Sequence, residues 1–424
     1  MVIFGESRSS CASNGSKQGS GTGNEIVSSP RLSTKVRDVK YKNNPKMTPY
    51  FSEEADGDFT SCEACKAHKG MAPVWGYKKS MRYILLTVII AVSCVASPLG
   101  DYLSSAYHAR CDSPIKRQEW RALSTTQKQE YIDAVRCLQG AESRTATSEG
   151  AKTRFDDFHS AHIDLADEVH LVGQFLVWHR FYLHLYETAL RKECGYSGSQ
   201  PYWDWTLDVK DGLSSFAASP LFDSTYGFGG NGANIPGYNG FFNNISDLPD
   251  WEYGGPGGGC IQDGPFASYN LSLGPGTLRT NHCITRWFTP VYLKTITTKR
   301  VTELFKFDNF EGFRIELEGT PITRHSKTHD GAHFAVGGEI GDRYSSPGDP
   351  LFYLHHANLD RIWWNWQMVK PSTRLYDISG RSTVDPPYRN VTLDFMLPTK
   401  SLGPEMPIRD MMDIHNKVLC YDYA

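Results

Sequence analysis

The residues SPGDPLFYLHHANLDRIWWNWQ, numbered 346–367, show a strong helical pattern. From Pro350 to Val369 the apolar residues recur at the spacing of an α-helix. Pro350 suits the first turn of this helix, because proline has no amide hydrogen and none is needed there. His355 and His356 lie side by side within the predicted helix. The pattern therefore predicts a long apolar helix that carries two imidazoles.

Other stretches show the same helical periodicity. They are EWRALSTTQKQEYIDAVRCL, FDDFHSAHIDLADEVH, FLVWHRFYLHLYETALRKE, FEGFRIELEG and the residues from Thr328 to Phe334. Ser124 is the predicted N-cap of a helix that starts at Thr125. Residues 211–280 are dense in glycine and proline and predict a long irregular excursion pinned by a disulfide. From residue 105 onward we therefore predict one mainly α domain, with a four-helix-bundle core and long loops around it.

The charge balance excludes one broad class of function. The 424 residues include 44 Lys and Arg against 47 Asp and Glu, which gives a net charge of −3. Proteins that bind nucleic acid or anionic lipid by electrostatic attraction carry a basic excess. We therefore expect no nucleic-acid partner. Apolar residues make up 40% of the chain, which is enough for a large core.

The first 97 residues predict a tail and a targeting segment. Residues 1–80 are polar and aperiodic, so we expect a disordered tail, or an extension upstream of a true start at Met81. Residues 84–96 are mostly apolar but shorter than the roughly 20 residues of a membrane helix. With their basic flank they predict that residues 81–97 are a cleaved signal peptide, the alternative being a single-pass signal anchor. Only a signal anchor would attach the chain to a membrane. Both alternatives place the residues after the leader in the secretory pathway.

Six cysteines follow the predicted leader, an even number that is typical of an oxidising compartment. They are Cys111, Cys137, Cys194, Cys260, Cys283 and Cys420. Among the roughly 15 possible ways to form three disulfides, local sequence favours only Cys260 with Cys283, which bracket a loop rich in Gly and Pro. Glycosylation sequons begin at Asn244, Asn270 and Asn390. These features predict a secreted glycoprotein.

The histidines fall in two groups. Of the 14 in the chain, 11 lie between His159 and His356. The first group contains His162, His170 and His179, and the second contains His329, His333, His355 and His356. His329 and His333 form an HxxxH pair four residues apart, so both imidazoles emerge from one helical face. Three imidazoles bind one transition-metal ion well, so a set of three from each group predicts two metal sites across a helical core. With no Cys, Asp or Glu at ligand spacing, the metal would be copper or zinc.

Five motifs follow one another in a characteristic order. They are FLVWHRFYLHLYE at 175–187, PYWDW at 201–205, ELEG at 316–319, HxxxHF followed by VGG at 329–338, and SPGDPLFYLHHANLDRIWWNWQ at 346–367. This combination resembles the tyrosinase and catechol oxidase family, the type-3 copper proteins. The opening CDSPIKRQEWRALS and the DDFxxxH that ends at His162 are most similar to the short secreted fungal members.

The resemblance implies a copper-binding catalytic domain over residues 105–424. It implies two copper ions, one held by His162, His170 and His179 and the other by His329, His333 and His356. Family members use dioxygen to oxidise o-diphenols to o-quinones, and some also act on monophenols or o-aminophenols. The expected partners are therefore a small phenolic substrate and dioxygen. The alternative is a non-catalytic dioxygen carrier of the hemocyanin type, against which the short single domain argues.

The resemblance also separates neighbouring histidines. His159 is a rival of His162, but the family ligand lies in the AHI triplet, which leaves His159 behind it. At the histidine pair the family uses the second member, which leaves His355 beside the substrate entrance. Asp360 follows His356 by one helical turn, where a carboxylate can hold the other ring nitrogen and fix its tautomer.

Glu318 and Asp330 are predicted to act in catalysis together with His355. In family members that hydroxylate monophenols, a Glu and an Asn hold a water that deprotonates the phenol. Glu318 matches that Glu, while Asp330 stands in the place of the Asn. An ionised Asp only accepts hydrogen bonds, whereas an Asn also donates. We therefore expect strong oxidation of o-diphenols and a weaker, pH-sensitive activity on monophenols.

Overall fold

The computed structural model describes residues 110–145, 149–238 and 256–424. The helices are α1 (Thr125–Gly140), α2 (Arg154–Val169), α3 (Phe175–Glu193), α4 (Leu213–Ala217), α5 (Thr298–Leu304), α6 (Phe310–Glu318), α7 (Thr328–Val336), α8 (Leu351–Val369) and α9 (Pro371–Arg374). The strands are β1 (Ile115–Arg117), β2 (Gly232–Asn234), β3 (Gly258–Ile261), β4 (Asn270–Leu271), β5 (His282–Cys283), β6 (Met396–Leu397), β7 (Met406–Pro407) and β8 (Tyr421–Tyr423). β1 pairs with β8 in parallel, while β2 with β3, β4 with β5 and β6 with β7 form antiparallel pairs. The predicted mainly α fold is confirmed.

The predicted helix starts agree closely with the structure. Ser124 Oγ accepts a hydrogen bond from the Gln127 amide, and Gln127 Oε1 accepts one from the Ser124 amide. This reciprocal pair satisfies two amides that a helix start leaves open, so α1 begins at Thr125 as predicted. α8 begins at Leu351, one residue later than predicted, because Pro350 is its N-cap.

Four helices carry the histidines and form the core. α2 packs against α3, α3 against α8, and α8 against α7. Buried aromatic rings fill the space between them: the Tyr353 ring stacks on Tyr186 at 3.5 Å between centroids and on Tyr182 at 6.0 Å. Large buried rings contribute much of the apolar area of a core. The histidines therefore project from a densely packed frame.

A buried ionic network joins the end of the chain to this frame. Asp360 of α8 accepts hydrogen bonds from Arg180 Nε of α3 at 2.5 Å and from the hydroxyls of Tyr421 and Tyr423 of β8. The prediction that Asp360 holds the ring of His356 is wrong, because both carboxylate oxygens are bound by these groups. A guanidinium attracts a buried carboxylate more strongly than a neutral imidazole does, since it carries a full charge.

Three disulfides connect the described residues. They are Cys111–Cys420, Cys137–Cys194 and Cys260–Cys283. The predicted Cys260–Cys283 pair is confirmed. Cys111–Cys420 lies next to the parallel pairing of β1 with β8, in which Ile115 is opposite Tyr421. Such bonds are typical of proteins that fold in an oxidising compartment.

Several predictions fall on residues that the structure does not describe. The tail (1–80), the leader (81–97) and the Asn244 sequon are all outside the described ranges. Asn270 and Asn390 are exposed, and their glycosylation stays a prediction. Among the described helices, none has both the length and the apolar character needed to cross a membrane.

Candidate metal centre

The first histidine set is assembled from two helices and the turn between them. His162 lies on α2, His179 lies on α3, and His170 is the C-cap of α2. One ring nitrogen from each of the three lies within 4.8 Å of the others, and all three side chains are buried. His159 is buried on the same helix as His162 but lies outside the set.

His170 stands just beyond α2, although its surroundings predict a helix. Its backbone is extended, with φ −114° and ψ 152°, and the next residue, Leu171, has a left-handed φ of 63°. Such a backbone costs a residue other than glycine roughly 1 kcal/mol or more. Glu318 offsets this cost, because its Oε1 accepts a hydrogen bond from the Leu171 amide at 2.5 Å. Glu318 therefore holds the turn that presents His170.

The second set comes from α7 and α8. His329 and His333 lie one turn apart on α7, and His355 and His356 lie on α8; ring nitrogens of these four converge within 4.8 Å. The two sets adjoin each other, because the ring of His179 stacks on that of His356 with 4.4 Å between centroids and 12° between planes. The structure therefore brings together every histidine that the sequence predicts as a metal ligand.

Backbone carbonyls determine the tautomer of five imidazoles. The Nδ1 atoms of His162, His170, His179, His329 and His333 lie 2.7–3.0 Å from the carbonyl oxygens of Tyr344, Ala166, Phe175, Glu318 and Ile340, respectively. A carbonyl oxygen only accepts, so each Nδ1 donates and each neutral ring keeps a lone pair on Nε2. The Nε2 atoms of His162, His179 and His329 are shielded from solvent and have no hydrogen-bond partner. These lone pairs are suited to bind a metal ion.

Trp205 distinguishes His355 from His356. Its indole Nε1 donates to His355 Nδ1 over 3.2 Å. An indole N–H never accepts, so the proton of a neutral His355 is on Nε2, which then has no lone pair to offer. His356 Nε2 lies 3.1 Å from the Nε2 of His333. His356 Nε2 thus lies beside the ring nitrogen of another predicted ligand, whereas Nδ1 of His355 is held by Trp205, so the geometry favours His356 as the ligand.

Burial keeps the imidazoles neutral. It lowers the pKa of His162 to about 3 and that of His333 to about 4, below the ordinary range for histidine. It also lowers the pKa of His170, His179, His329 and His356 well below that range. A neutral imidazole is the form that binds transition metals, and a set of imidazoles without thiolate or carboxylate suits copper. The residues present therefore fit a pair of copper ions.

Two phenylalanines shield the histidines from water. The Phe175 ring is 4.9 Å from His179 and 4.8 Å from His329, and so contacts both sets. The Phe352 ring is 4.1 Å from that of His356 and belongs to the same core. An apolar enclosure of this kind controls solvent access to a metal site.

A cavity of about 230 Å³ opens beside the second set. Its wall includes His170, His329, His333, Glu318, Asp330 and Arg343. Cavities for drug-sized ligands measure roughly 300–1,000 Å³, so this one is suited to a smaller molecule such as a single aromatic ring. His355 is fully buried, and its ring lies 4.5 Å from that of His333, which lines this cavity. Its place beside the substrate entrance stays a prediction.

Glu318 binds one histidine of the second set and the residue next to one histidine of the first. Its Oε1 binds the Leu171 amide, next to His170, and its backbone carbonyl accepts from His329 Nδ1. Arg314, one turn earlier on α6, donates to Oε2 at 2.5 Å. Burial raises the pKa of the Glu318 carboxyl to about 7, although the charge of Arg314 opposes the shift. A carboxyl with such a pKa gains and loses a proton near neutral pH.

The Asp330 carboxylate binds the backbone around it. Oδ1 accepts from the Lys327 amide at 2.6 Å, and Oδ2 accepts from the Thr320 amide at 2.8 Å. Gly319 lies against it with φ 98°, and a Cβ at that position would be 2.2 Å from Oδ1. Asp330 therefore fastens the segment after Glu318 to the first turn of α7. Burial raises its pKa to about 6.

The site also contains residues that the sequence analysis did not single out. Trp205 belongs to the PYWDW motif, and Arg314 stands four residues before Glu318, a spacing at which helical side chains meet. These two had a local signal. No local signal points to Arg343, which lies in the cavity wall, or to Tyr344, whose carbonyl binds His162. Only the tertiary fold brings their loop to the site.

Two adjoining sets of buried, neutral histidines in a helical core form the arrangement expected of a dinuclear metal site. The family model described as the common central domain of tyrosinase matches residues 152–369. A tyrosinase-like protein, phomQ1 of Diaporthe leptostromiformis, is 32% identical over 381 residues, which cover 81% of this chain and 89% of that protein. The N-acetyl-6-hydroxytryptophan oxidase ivoB of Emericella nidulans is 30% identical over 79% of this chain and 99% of its own. A solved polyphenol oxidase from Thermothelomyces thermophila is 30% identical with a TM-score of 0.67, and the match covers 82% of this chain and 98% of that one. The chain belongs to the tyrosinase family of copper oxidases.

Proposed function

We propose that this protein converts o-diphenols to o-quinones with dioxygen at a pair of copper ions. The observation that carries the proposal is the pair of adjoining histidine sets beside a cavity that fits one aromatic ring. His162, His170 and His179 would hold one ion, and His329, His333 and His356 the other. When bound, the two copper ions supply the dioxygen binding and the redox chemistry.

The protein's own residues orient the ligands and exclude water. Backbone carbonyls point the Nε2 lone pairs inward, and Phe175 and Phe352 shield the rings. Glu318 takes the proton of the incoming phenol, because its pKa lies near neutral and it lines the cavity. Asp330 holds the backbone that carries Glu318, and so affects monophenols, which depend most on proton removal. His355 packs behind His356 through its bond to Trp205.

Monophenols and o-aminophenols are further candidate substrates. One relative is named as an oxidase of N-acetyl-6-hydroxytryptophan, which is a hydroxylated aromatic compound other than a simple catechol. A dioxygen carrier would have the same histidine sets without turnover. Oxygen uptake in the presence of a catechol separates the two functions.

Secretion is the second part of the proposal. Three disulfides and similarity to fungal tyrosinases support it. The mature chain then begins near residue 97, after a cleaved signal peptide. Sequencing the amino terminus of protein from the medium tests this, and recovery of the chain in membranes with the upstream residues intact would favour a signal anchor.

Copper content and oxygen uptake test the catalytic proposal. Wild type should bind two copper ions per chain and consume oxygen when a catechol is added. His333→Ala should lose the ion of the second set and all turnover, because one of three ligands is gone. His325→Ala is the matched control, since His325 is exposed and lies outside both sets. Full activity of His333→Ala would show the ligand assignment to be wrong, and two bound copper ions without oxygen uptake would favour a carrier.

A further inference from the structure

Arg343 stands on a hydrogen-bonded loop in the wall of the cavity beside the histidines. Asp342 Oδ1 accepts hydrogen bonds from the amides of Tyr344 and Ser345 at 2.8 and 2.9 Å, and its Oδ2 accepts from the Gly276 amide at 3.0 Å. The Tyr344 carbonyl accepts from His162 Nδ1 at 2.8 Å. The backbone of Arg343 is therefore held at a fixed place relative to the first histidine set.

The carboxyl groups in the cavity wall already have donors of their own. Glu318 binds Arg314 and the Leu171 amide. Asp330 binds the amides of Thr320 and Lys327, and Asp342 binds the amides of its own loop and of Gly276. These carboxylates are satisfied by the protein, so they have little need of the guanidinium of Arg343.

The guanidinium of Arg343 has N–H groups left over. Its Nε and Nη2 are shielded from solvent and have no partner in hydrogen-bonding geometry. The nearest carboxylate is that of Asp167, whose Oδ1 is 2.9 Å from Nη2, but the Asp167 side chain is 66% exposed and also accepts from the Tyr344 hydroxyl. Water competes for the Asp167 carboxylate, so an ion pair with such an exposed partner contributes little. A ligand in the cavity could therefore recruit Arg343 at small cost.

We propose that Arg343 binds a carboxylate on the substrate, so that the protein acts on phenolic acids. This rests on the proposed oxidase function and names the class of its substrate. A guanidinium presents two parallel N–H groups that match a planar carboxylate. The hydroxyl groups of the aromatic ring then face the histidines, and the acid group faces the loop at residues 342–346. A cavity of about 230 Å³ accommodates one ring with a short acidic substituent.

The test compares two catechols that differ only in charge. The pair is 3,4-dihydroxyphenylacetate and its uncharged amide, and the readout is the ratio of their kcat/KM values with the copper-loaded enzyme. We expect wild type to prefer the acid, and Arg343→Gln to lower the ratio about tenfold, mainly through the KM of the acid. Arg343→Lys should give an intermediate ratio, because it keeps the charge but not the planar fork. Asp167→Asn should raise the ratio, because it removes the competing carboxylate.

Arg409→Gln is the matched control. The side chain of Arg409 is 38% exposed, against 35% for Arg343, and it also pairs with an exposed carboxylate, Asp394. It does not line the cavity, so its loss should leave the ratio at the wild-type value.

Calorimetry without dioxygen provides a readout that is independent of turnover. Binding of the acid should weaken about tenfold in Arg343→Gln, while binding of the amide should not change. An unaltered ratio together with unaltered binding would overturn the proposal, and so would an equal loss for both compounds. If wild type oxidised neither compound, the oxidase function would fail, yet the binding comparison would still decide the role of Arg343. If Arg343→Gln did not fold, Asp167→Asn and Arg343→Lys would decide it.

Discussion

Asp360→Asn removes a negative charge from the buried network that joins α3, α8 and β8. Asp360 is 2% exposed and its partner Arg180 is 0% exposed, with 2.5 Å between Oδ1 and Nε. Removing one partner of a buried ion pair costs about 3–5 kcal/mol, because the other charge stays buried without compensation. Asparagine keeps one oxygen that can accept a hydrogen bond worth about 1 kcal/mol. We therefore expect a loss of about 3 kcal/mol in the free energy of unfolding.

Urea denaturation of the copper-loaded protein with its disulfides intact measures this loss. Asp394→Asn is the matched control, because Asp394 is 77% exposed and pairs with Arg409 at the surface. Its free energy of unfolding should change by less than about 0.5 kcal/mol. Both variants need the same copper concentration, because bound metal adds to the apparent stability.

The copper content of Asp360→Asn distinguishes two roles for this residue. Asp360 binds Arg180 and two tyrosines, so the folded variant should hold as much copper as wild type. A free energy of unfolding equal to that of wild type would refute the reasoning. Loss of copper with wild-type stability would show that Asp360 acts on His356 after all.

Three further predictions follow from the described contacts. Asp330→Asn should alter the ratio of monophenol to o-diphenol oxidation, and an unchanged ratio of rates would remove Asp330 from the mechanism. The same variant should lower the free energy of unfolding by about 1–3 kcal/mol, because an amide N–H of the new side chain then faces a backbone N–H. The hydrogen bond to Glu339 raises the pKa of His282, and although burial raises the pKa of Glu339, its bond to His282 opposes that shift. A raised histidine pKa stabilises the fold below the unfolded-state pKa, and this contribution is lost as the pH rises through the folded-state pKa. The difference in unfolding free energy between wild type and His282→Asn should therefore shrink as the pH rises above the ordinary histidine pKa of about 6.5, and a difference that grows with pH would contradict this reason. Replacing Cys137 and Cys194 by alanine should lower the free energy of unfolding by about 4 kcal/mol, because their disulfide closes a loop with a sequence separation of 57. A loss below about 1 kcal/mol would mean that other contacts restrain this loop when the disulfide is absent.

Local patterns in the sequence determined the helices and the candidate ligands. The period of the apolar residues is visible in any one segment, so α1, α2, α3 and α8 were predicted with nearly the observed bounds. Ser124 was predicted as a cap because a cap involves residues only three apart. His329 and His333 share a helical face by their spacing alone. The order of the motifs was enough to assign the chain to its family.

Only the tertiary structure decided how these ligands are held. Asp360 binds Arg180 rather than His356, and Trp205 determines which ring nitrogen of His355 carries the proton. Glu318 holds the turn at Leu171 from 147 positions away in the sequence. In each case one polar group has several possible partners, and it binds the donors that the fold places beside it. Which donor is within reach depends on how distant segments pack, and no local pattern in the sequence records that.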